Sequence, residues 1–562
     1  MEELAWVIRY TGIAVLMAVL GYYLYRGYKV RMMFRKLKTQ GVPLMKHSIL
    51  FGHLVLFQKL CRGYPRDMHP LFIPCIILDH WRVLFPDQTS CPPVLYLDLW
   101  PIGPPMLFVL NLDLSVRFAS DMRILKAAQA NDFLQPLGHG LDIVTNSGAI
   151  WKTWRSRLNP GFSAKNIQAL VPLILDEVTV FAEVLRSKAG RNGEWGEVFP
   201  LEELANNLTF DVITRATIGI RLHEQTNGPT PFKAALLDQL NLCMFDRNIF
   251  TAWSWINPMR QISIWRNNKI MKDFIMQHIR ARIDGSAGPE AQDQGATTVI
   301  DLALKSVWQE SQLSKTPDVS LDPEIIDTVI SNVKIFLFAG HDTTATAICW
   351  VLHSLAKNPA AMAKLRAEHD EVLGQDLQAI AQRLREEPRL LNSLVYTSAC
   401  VKEALRLHPG PPIIRTGAPE LVFEVPGSPI RYPTDGFMMW DALKAYMRWN
   451  EAWPRPTEFL PERWTTGSPD HIRPPKNAWR VFGVGPRNCI GQELAMVEIK
   501  MVLALIARGL DLDCSWEDWA RVNGKPPARV MVDGDYCYQC GAGMPHTSEG
   551  MPVHVRLAGV RD

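Results

Sequence analysis

The strongest constraint on this chain is the string F-G-V-G-P-R-N-C-I-G, Phe482 to Gly491, together with the apolar run that follows it. Gly483 and Gly485 permit tight turns, so the loop presents one cysteine and then enters a helix. Downstream, Leu494, Val497, Met501, Val502 and Leu505 recur at helical spacing and define a buried face. A thiol just ahead of a helix N-terminus meets free backbone N–H groups and about half a unit of positive charge. Both favour the thiolate, the form that ligates metal. Arg487 lies two residues earlier and is placed to neutralise an anionic group of a bound cofactor.

Composition narrows the class without naming a function. The chain has 562 residues, 47% of them apolar and 21% charged, which is ordinary for a large globular core. A formal charge of only +3 gives no electrostatic footprint for nucleic acid. The ten cysteines follow no regular spacing and read as mostly reduced thiols in a cytosolic setting. Cys537 and Cys540 form a C-x-x-C, but His546 and His554 are too far apart to complete a usual zinc site. The pair reads as strand or loop residues.

Residues 4–25 form an apolar stretch with a single charge, Arg9. As a helix it is roughly 33 Å long, enough to cross a hydrocarbon core of ~30 Å. The acidic start at Glu2 and Glu3 and the tyrosines after the apolar run argue against a cleaved signal. Arg26, Lys29, Arg31, Arg35, Lys36 and Lys38 flank it, which places the rest of the chain in the cytosol. The expected organisation is a signal-anchor helix over 1–26, a basic and Pro/Gly-punctuated hinge over 27–54, and one large domain over 55–562. That domain is expected to be mostly α with small β-sheets. Helices are expected at Ile167–Leu185, Leu201–Ile218, Lys269–Ile283, Pro323–Ala356, Pro359–Leu373 and Leu391–His408, and strands near Val94–Leu99, Met106–Leu110, Leu421–Val425 and Val553–Leu557. Asp284–Thr298 and Ser311–Ser320 read as loops.

Three further strings carry chemistry. A-G-H-D-T-T, Ala339 to Thr344, places a glycine and four polar residues in the middle of a long apolar helix, against its own patterning. Thr343 alone would be read as bonding back to its own helix. Glu403 and Arg406 in E-A-L-R share a helix face, and F-L-P-E-R-W supplies Arg463. In W-K-T-W-R, Trp151 and Arg155 stand four apart on one face.

In their order along the chain the four strings resemble the motifs of the cytochrome P-450 family, over Trp151 to Gly491. The resemblance implies the P-450 fold and a haem whose axial metal ligand is the Cys489 thiolate, with Phe482 packed on the loop and Gly491 closing it. It further implies that Arg487, Arg415, Trp151 and Arg155 contact haem propionates. Ala339 and Gly340 would leave room for dioxygen, and Asp342 and Thr343 would be the acid–alcohol pair that relays protons. Glu403, Arg406 and Arg463 would form a buried structural network. His341 falls where the pattern is open, and Met447-Arg448 stands where the family often has His-Arg.

Thiolate ligation favours O–O cleavage and hence oxygen activation. The implied reaction is O2 activation and insertion of one oxygen atom into a lipophilic small molecule. No nucleotide-binding glycine fingerprint is visible, so electrons are expected from a separate NADPH-cytochrome P-450 reductase. Lys476, Arg480, Arg448 and Lys500 lie near the haem loop in sequence and are candidates for its docking patch, with a solvated face as the alternative. The pocket is expected from Leu134–Ile143, Phe336–Ala339, Pro412–Ile414 and Gly541–Pro545. Ile249–Met259, rich in aromatics, is read either as a membrane-lipid contact or as a buried connection. The expected location is the endoplasmic reticulum membrane, single-pass. Overall texture resembles fungal enzymes that tailor polyketides or terpenoids. A haem-thiolate isomerase or dehydratase, or a non-enzymatic haem-binding sensor, would share the cysteine but not need the acid–alcohol pair.

Overall fold

The computed structural model describes residues 2–243, 252–284, 296–305, 322–449, 451–526 and 530–559. Ser311–Ser320 and most of Asp284–Thr298, both expected to be loops, lie outside them, as do residues 249–251. The helices that matter below are α1 (Glu2–Thr39), α2 (Ala128–Gly138), α3 (Gly148–Leu158), α4 (Ala164–Ser187), α5 (Leu201–Thr217), α6 (Pro231–Leu242), α7 (Pro258–Ile283), α8 (Pro323–Ala356), α9 (Val395–Leu407) and α10 (Gln492–Ile506). The expected helices are present, with one difference. Leu391–His408 is broken at Leu394 into a short turn of helix and α9.

The two halves of α1 have different surroundings. Trp6, Leu16, Met17 and Leu24 stand exposed, while Val30, Phe34 and Leu37 are buried against the globular body. Arg31 pairs with Asp98 and donates to the carbonyls of Leu50 at 3.3 Å and Trp100 at 3.1 Å. His47 Nε2 lies 2.8 Å from the same carboxylate. The basic stretch expected to open a hinge at residue 27 is therefore helix as far as Thr39. Its apolar positions share one face and find a core to bury in.

Four strands form a sheet in the order β1-β2-β7-β4: β1 (Val94–Leu97), β2 (Met106–Val109), β4 (Ile414–Thr416) and β7 (Met438–Asp441). β1 and β2 are antiparallel, with Val94 opposite Val109, and β2 runs parallel to β7, with Met106 opposite Met438. Every residue of β1, β2 and β7 is buried, which explains their near-continuous apolar sequences. This pairing ties the early and late parts of the chain into one core. β3 (Phe199–Pro200), β11 (Pro552–Leu557) and β8 (Leu510–Cys514) make a second sheet, and β5 (Val422–Glu424) pairs with β6 (Arg431–Pro433). β9 (Gln539–Cys540) and β10 (His546–Thr547) form a small C-terminal hairpin.

α8 runs through the middle of the molecule for 34 residues. It is long and apolar enough to cross a membrane, but 83% of its apolar window is buried. It is a core helix. It packs closely on α5 because Gly340 has no side chain: a Cβ there would come within 2.6 Å of Ile213 Cγ1.

Glu403, Arg406 and Arg463 are fully buried and meet. Arg406 binds Glu403 at 2.8 and 2.9 Å, Arg463 Nε binds it at 3.0 Å, and Trp464 Nε1 donates to it at 2.9 Å. Two cations on one anion leave excess positive charge, and backbone carbonyls absorb it. Arg406 donates to those of Met447, Pro456 and Glu458, and Arg463 to those of Ile472, Pro454 and Arg455. A chain of rings, Trp453, Trp464, Trp479 and Phe482, with neighbouring centroids 5.8 to 6.1 Å apart, connects this network to the cysteine loop.

Candidate active site

Cys489 lies deep in the protein yet has an exposed side chain, because it faces an internal cavity of about 520 Å³. The loop reaches this geometry through its glycines. Gly483 and Gly485 have φ of +75° and +78°, and a Cβ on Gly485 would sit 2.8 Å from Ser120 Cβ. The Cys489 N–H donates to Phe482 O at 2.7 Å, closing the loop on itself. Burial pushes the thiol up, while the N–H groups of Gly491 and Gln492 and the charge of Arg155 pull it down. Burial wins.

The cavity rim is rich in cationic side chains. Arg155, Arg415, Arg487 and Lys126 all line it. Arg487 stacks on Trp151, its guanidinium carbon 5.3 Å from the ring centroid, and its Nε and Nη1 have no partner. The Nε of Arg415 is likewise unpaired. Arg155 donates to Asn488 Oδ1 at 3.1 Å. Lys126 Nζ is held by the carbonyls of Ile143 at 3.1 Å and Asn146 at 2.7 Å. Burial, and then the charges of Arg487 and Arg415, drive its ammonium down to about 7. Arg415 is driven down to about 10 by burial and then by Arg487. Clustered cations with unused donors call for an acidic ligand, and Gly491, beside Cys489, leaves open space where a Cβ would point. A flat metal complex with carboxylate arms fits all three features, as haem does.

The opposite wall is α8. Ala339, Gly340 and Thr343 line the cavity, and Thr343 Oγ1 donates to Ala339 O at 2.6 Å. Asp342 faces the other way. With His341, Asn206 and His546 it lines a second cavity of about 820 Å³, toward α6 and the C-terminal hairpin. Phe133, Phe338, Trp440 and Met544 border both cavities. The acid and the alcohol thus stand on two sides of one helix turn. His341 is buried, its Nδ1 2.7 Å from Leu337 O, and burial pushes its pKa down.

All four expected pocket regions contribute lining residues. Other expectations need correction. Of the four cations considered for a docking patch, Arg480 and Lys500 are buried. Arg480 donates to Ser115 Oγ at 2.7 Å, and Lys500 to Leu391 O at 2.8 Å. Arg448 is largely buried and paired with Asp533. Only Lys476 of the four is exposed. Gly340 owes its lack of a side chain to Ile213 as well as to the cavity. Two groups were missed from sequence. Lys126 is brought to the rim by a backbone bridge to Arg415, and His546 lies 3.7 Å from Asp342. Neither stands in a pattern. Among the described residues no cluster of metal-binding side chains exists; Cys537 is a buried loop residue and Cys540 ends β9.

Comparison with known proteins agrees with this geometry. A family model described as Cytochrome P450 matches residues 96–525. The chain is 32% identical over 554 residues to cytochrome P450 monooxygenase polC of Polytolypa hystricis, covering 97% of this chain and 95% of that one. It is 30% identical to cytochrome P450 monooxygenase acrF of Aspergillus aculeatus, covering 82% of this chain and 93% of that one. Among solved structures, the cytochrome P450DA heme domain superposes with a TM-score of 0.64 at 19% identity, over 92% of this chain and 96% of that one.

Proposed function

The chain belongs to the cytochrome P450 family, and from that premise we propose that it inserts one atom of O2 into a lipophilic secondary metabolite, using electrons from a separate NADPH-dependent reductase. It is a P450 monooxygenase, and the family's haem carries a cysteine thiolate ligand. We assign that ligand to Cys489. The observation that carries the reading is a thiol at the head of α10 facing a cavity whose rim holds Lys126, Arg155, Arg415 and Arg487 with donors to spare.

When bound, haem supplies the oxygen activation itself. The protein's part is binding, orientation and protons. Arg155, Arg415 and Arg487 would grip the propionates, Trp151 keeps the Arg487 guanidinium flat, and Lys126 adds charge at the rim. Phe336, Phe338, Ile413 and Met544 give the cavity apolar walls, suited to a lipophilic substrate and to excluding bulk water. Thr343 offers a hydroxyl on the cavity side, and Asp342 is the nearest acid on its helix turn. The substrate class we propose is polyketide- or terpenoid-like, on the likeness of the whole chain to monooxygenases of fungi. The exposed apolar half of α1 supports a single anchoring span in the endoplasmic reticulum membrane. Ile256, Met259, Ile262 and Trp265 are exposed around the start of α7 and support lipid contact there.

The test is the carbon monoxide difference spectrum of the reduced protein, followed by turnover with NADPH, reductase and O2. Thiolate ligation is expected in the parent and lost in Cys489→Ala; a Cys489→Ala protein with the parent spectrum ends the assignment. Oxygen-independent turnover would replace the reading with an isomerase or dehydratase. Thr343→Ala is expected to raise the share of consumed O2 released as hydrogen peroxide at least twofold. An unchanged share removes Thr343 from proton handling.

A further inference from the structure

Three segments far apart in sequence meet at His546. Its Nδ1 lies 2.7 Å from Glu202 Oε1, on the first turn of α5, and 3.7 Å from Asp342 Oδ1, on α8. Glu202 is buried and already bound by the Thr547 N–H at 2.8 Å and by the Thr547 hydroxyl. Those two bonds suffice to fasten the C-terminal hairpin to α5. The His546 ring does something more. Its side chain is 39% exposed, and it faces the outer cavity that Asp342 also lines.

The charges around the ring are few. Two carboxylates, Glu202 and Asp342, face it, along with two imidazoles, His341 and His69. Burial pushes both of those imidazoles down, His69 to about 4, so they stay neutral at physiological pH. Burial also opposes charge on His546, but Glu202 and Asp342 outweigh it and raise its pKa to about 9. An imidazolium between two carboxylates is the resting arrangement.

We propose that His546, oriented by Glu202, is a positioning residue that holds the Asp342 carboxylate at the wall of the outer cavity, where that acid is reloaded with protons from water. Each proton Asp342 passes inward leaves its O–H bond and is replaced by one from a cavity water. That water is replenished through the cavity by a proton from a bulk buffer acid, whose conjugate base stays in solution, so no free hydroxide forms and His546 keeps its own proton throughout. The proposal rests on the monooxygenase reading of the inner cavity, but its first test does not.

That first test is an NMR titration of the haem-loaded full chain with ring-13C histidine, the His546 signal being assigned by its loss in His546→Gln. A midpoint near 9 is expected in the parent, falling by at least one pH unit in Glu202→Gln and in Asp342→Asn. A midpoint in the ordinary imidazole range, or one indifferent to Asp342→Asn, overturns the proposal. The second test needs no organic substrate: the share of consumed O2 recovered as hydrogen peroxide, with NADPH and reductase, from pH 6 to 10. The parent share should rise as pH passes the His546 midpoint. His546→Gln should raise it two- to fivefold at pH 7, with His546→Lys restoring at least half of the difference. In an Asp342→Asn background His546→Gln should add nothing. If it adds the same factor there, His546 acts through the fold and not through Asp342. All variants are compared at equal haem content, and since His546 is partly exposed, its substitution spares the core even where Glu202→Gln fails to fold. Absence of any oxygen consumption, with the NMR result as expected, counts against the monooxygenase reading alone.

Discussion

The cysteine side of the cavity and the acid side are built in opposite ways. Cys489 is fixed by ten contiguous residues, by two glycines in left-handed conformation and by a ring chain leading to a fully buried charge network. Asp342 is carried by α8, and among the described residues its ion-pair partner is His546 of the C-terminal hairpin, at 3.7 Å. The first side is over-determined by loop geometry and packing. The second is a loose contact between titratable groups. Damage to the cysteine side should therefore be all-or-none, whereas damage to the acid side should be graded and pH-dependent.

The sharpest way to break that contrast is Glu403→Ala. It removes the anion between Arg406 and Arg463, both fully buried, and leaves two cations facing each other. Truncating one member of a buried charge network costs roughly 3–5 kcal/mol. The expected outcome is little or no haem-loaded protein, read by haem content and thermal unfolding. Normal haem content would show that the backbone carbonyls hold the network unaided. Next in size is Arg487→Ala. Hydrogen bonds to charged groups contribute about 1.5–3 kcal/mol, so haem transfer to an apo-globin acceptor should be about 10- to 100-fold easier. Arg155→Ala should do less, because part of its donor capacity is already used by Asn488.

The same contrast explains what could be read from sequence. The cysteine loop, the long central helix and the Glu403–Arg406 pair are local patterns, where periodicity and spacing carry the information. Buried β1 and β2 were legible too, because a strand covered on both faces is apolar throughout, but β7, just as buried, went unread. Lys126 and His546 were not. Lys126 reaches the rim through a bridge to Arg415, 289 residues later in the numbering, and His546 reaches Asp342 across three segments. Nothing local marks a lysine or histidine for such a meeting. The docking patch failed for a related reason. Nearness in sequence to the cysteine loop says nothing about which way a side chain points, and Arg480 and Lys500 turn inward to satisfy buried acceptors. At α1 the apolar positions of the basic stretch were visible, but not the core that Val30, Phe34 and Leu37 find.

Between the two sides lies Gly340, where packing and chemistry overlap. Gly340→Ala pushes a methyl to within 2.6 Å of Ile213 Cγ1. Overpacking of this kind costs about 1–3 kcal/mol. If sterics are the cause, adding Ile213→Ala should lower the unfolding temperature less than the two single changes summed. Additive losses would show instead that Gly340 is needed for its backbone.

The smallest effect separates the two sides most cleanly, because it has a sign that depends on pH. The folded-state pKa of His546, about 9, lies above the ordinary imidazole value of 6.5. A raised pKa contributes stability that is fully present below about 6.5 and is lost as pH rises through about 9. The ring is 39% exposed, so solvent screening keeps that contribution within roughly 1 kcal/mol. Parent and His546→Gln should therefore differ in unfolding temperature at pH 6, differ less at pH 8.5 and converge by pH 10. Lys126 on the cysteine side also titrates in this window, its ammonium being driven down to about 7, but it is common to parent and variant and cancels from the difference. A difference that persists undiminished at pH 10 would mean that His546 stabilises the hairpin by packing, and that the acid side is as rigid as the cysteine side.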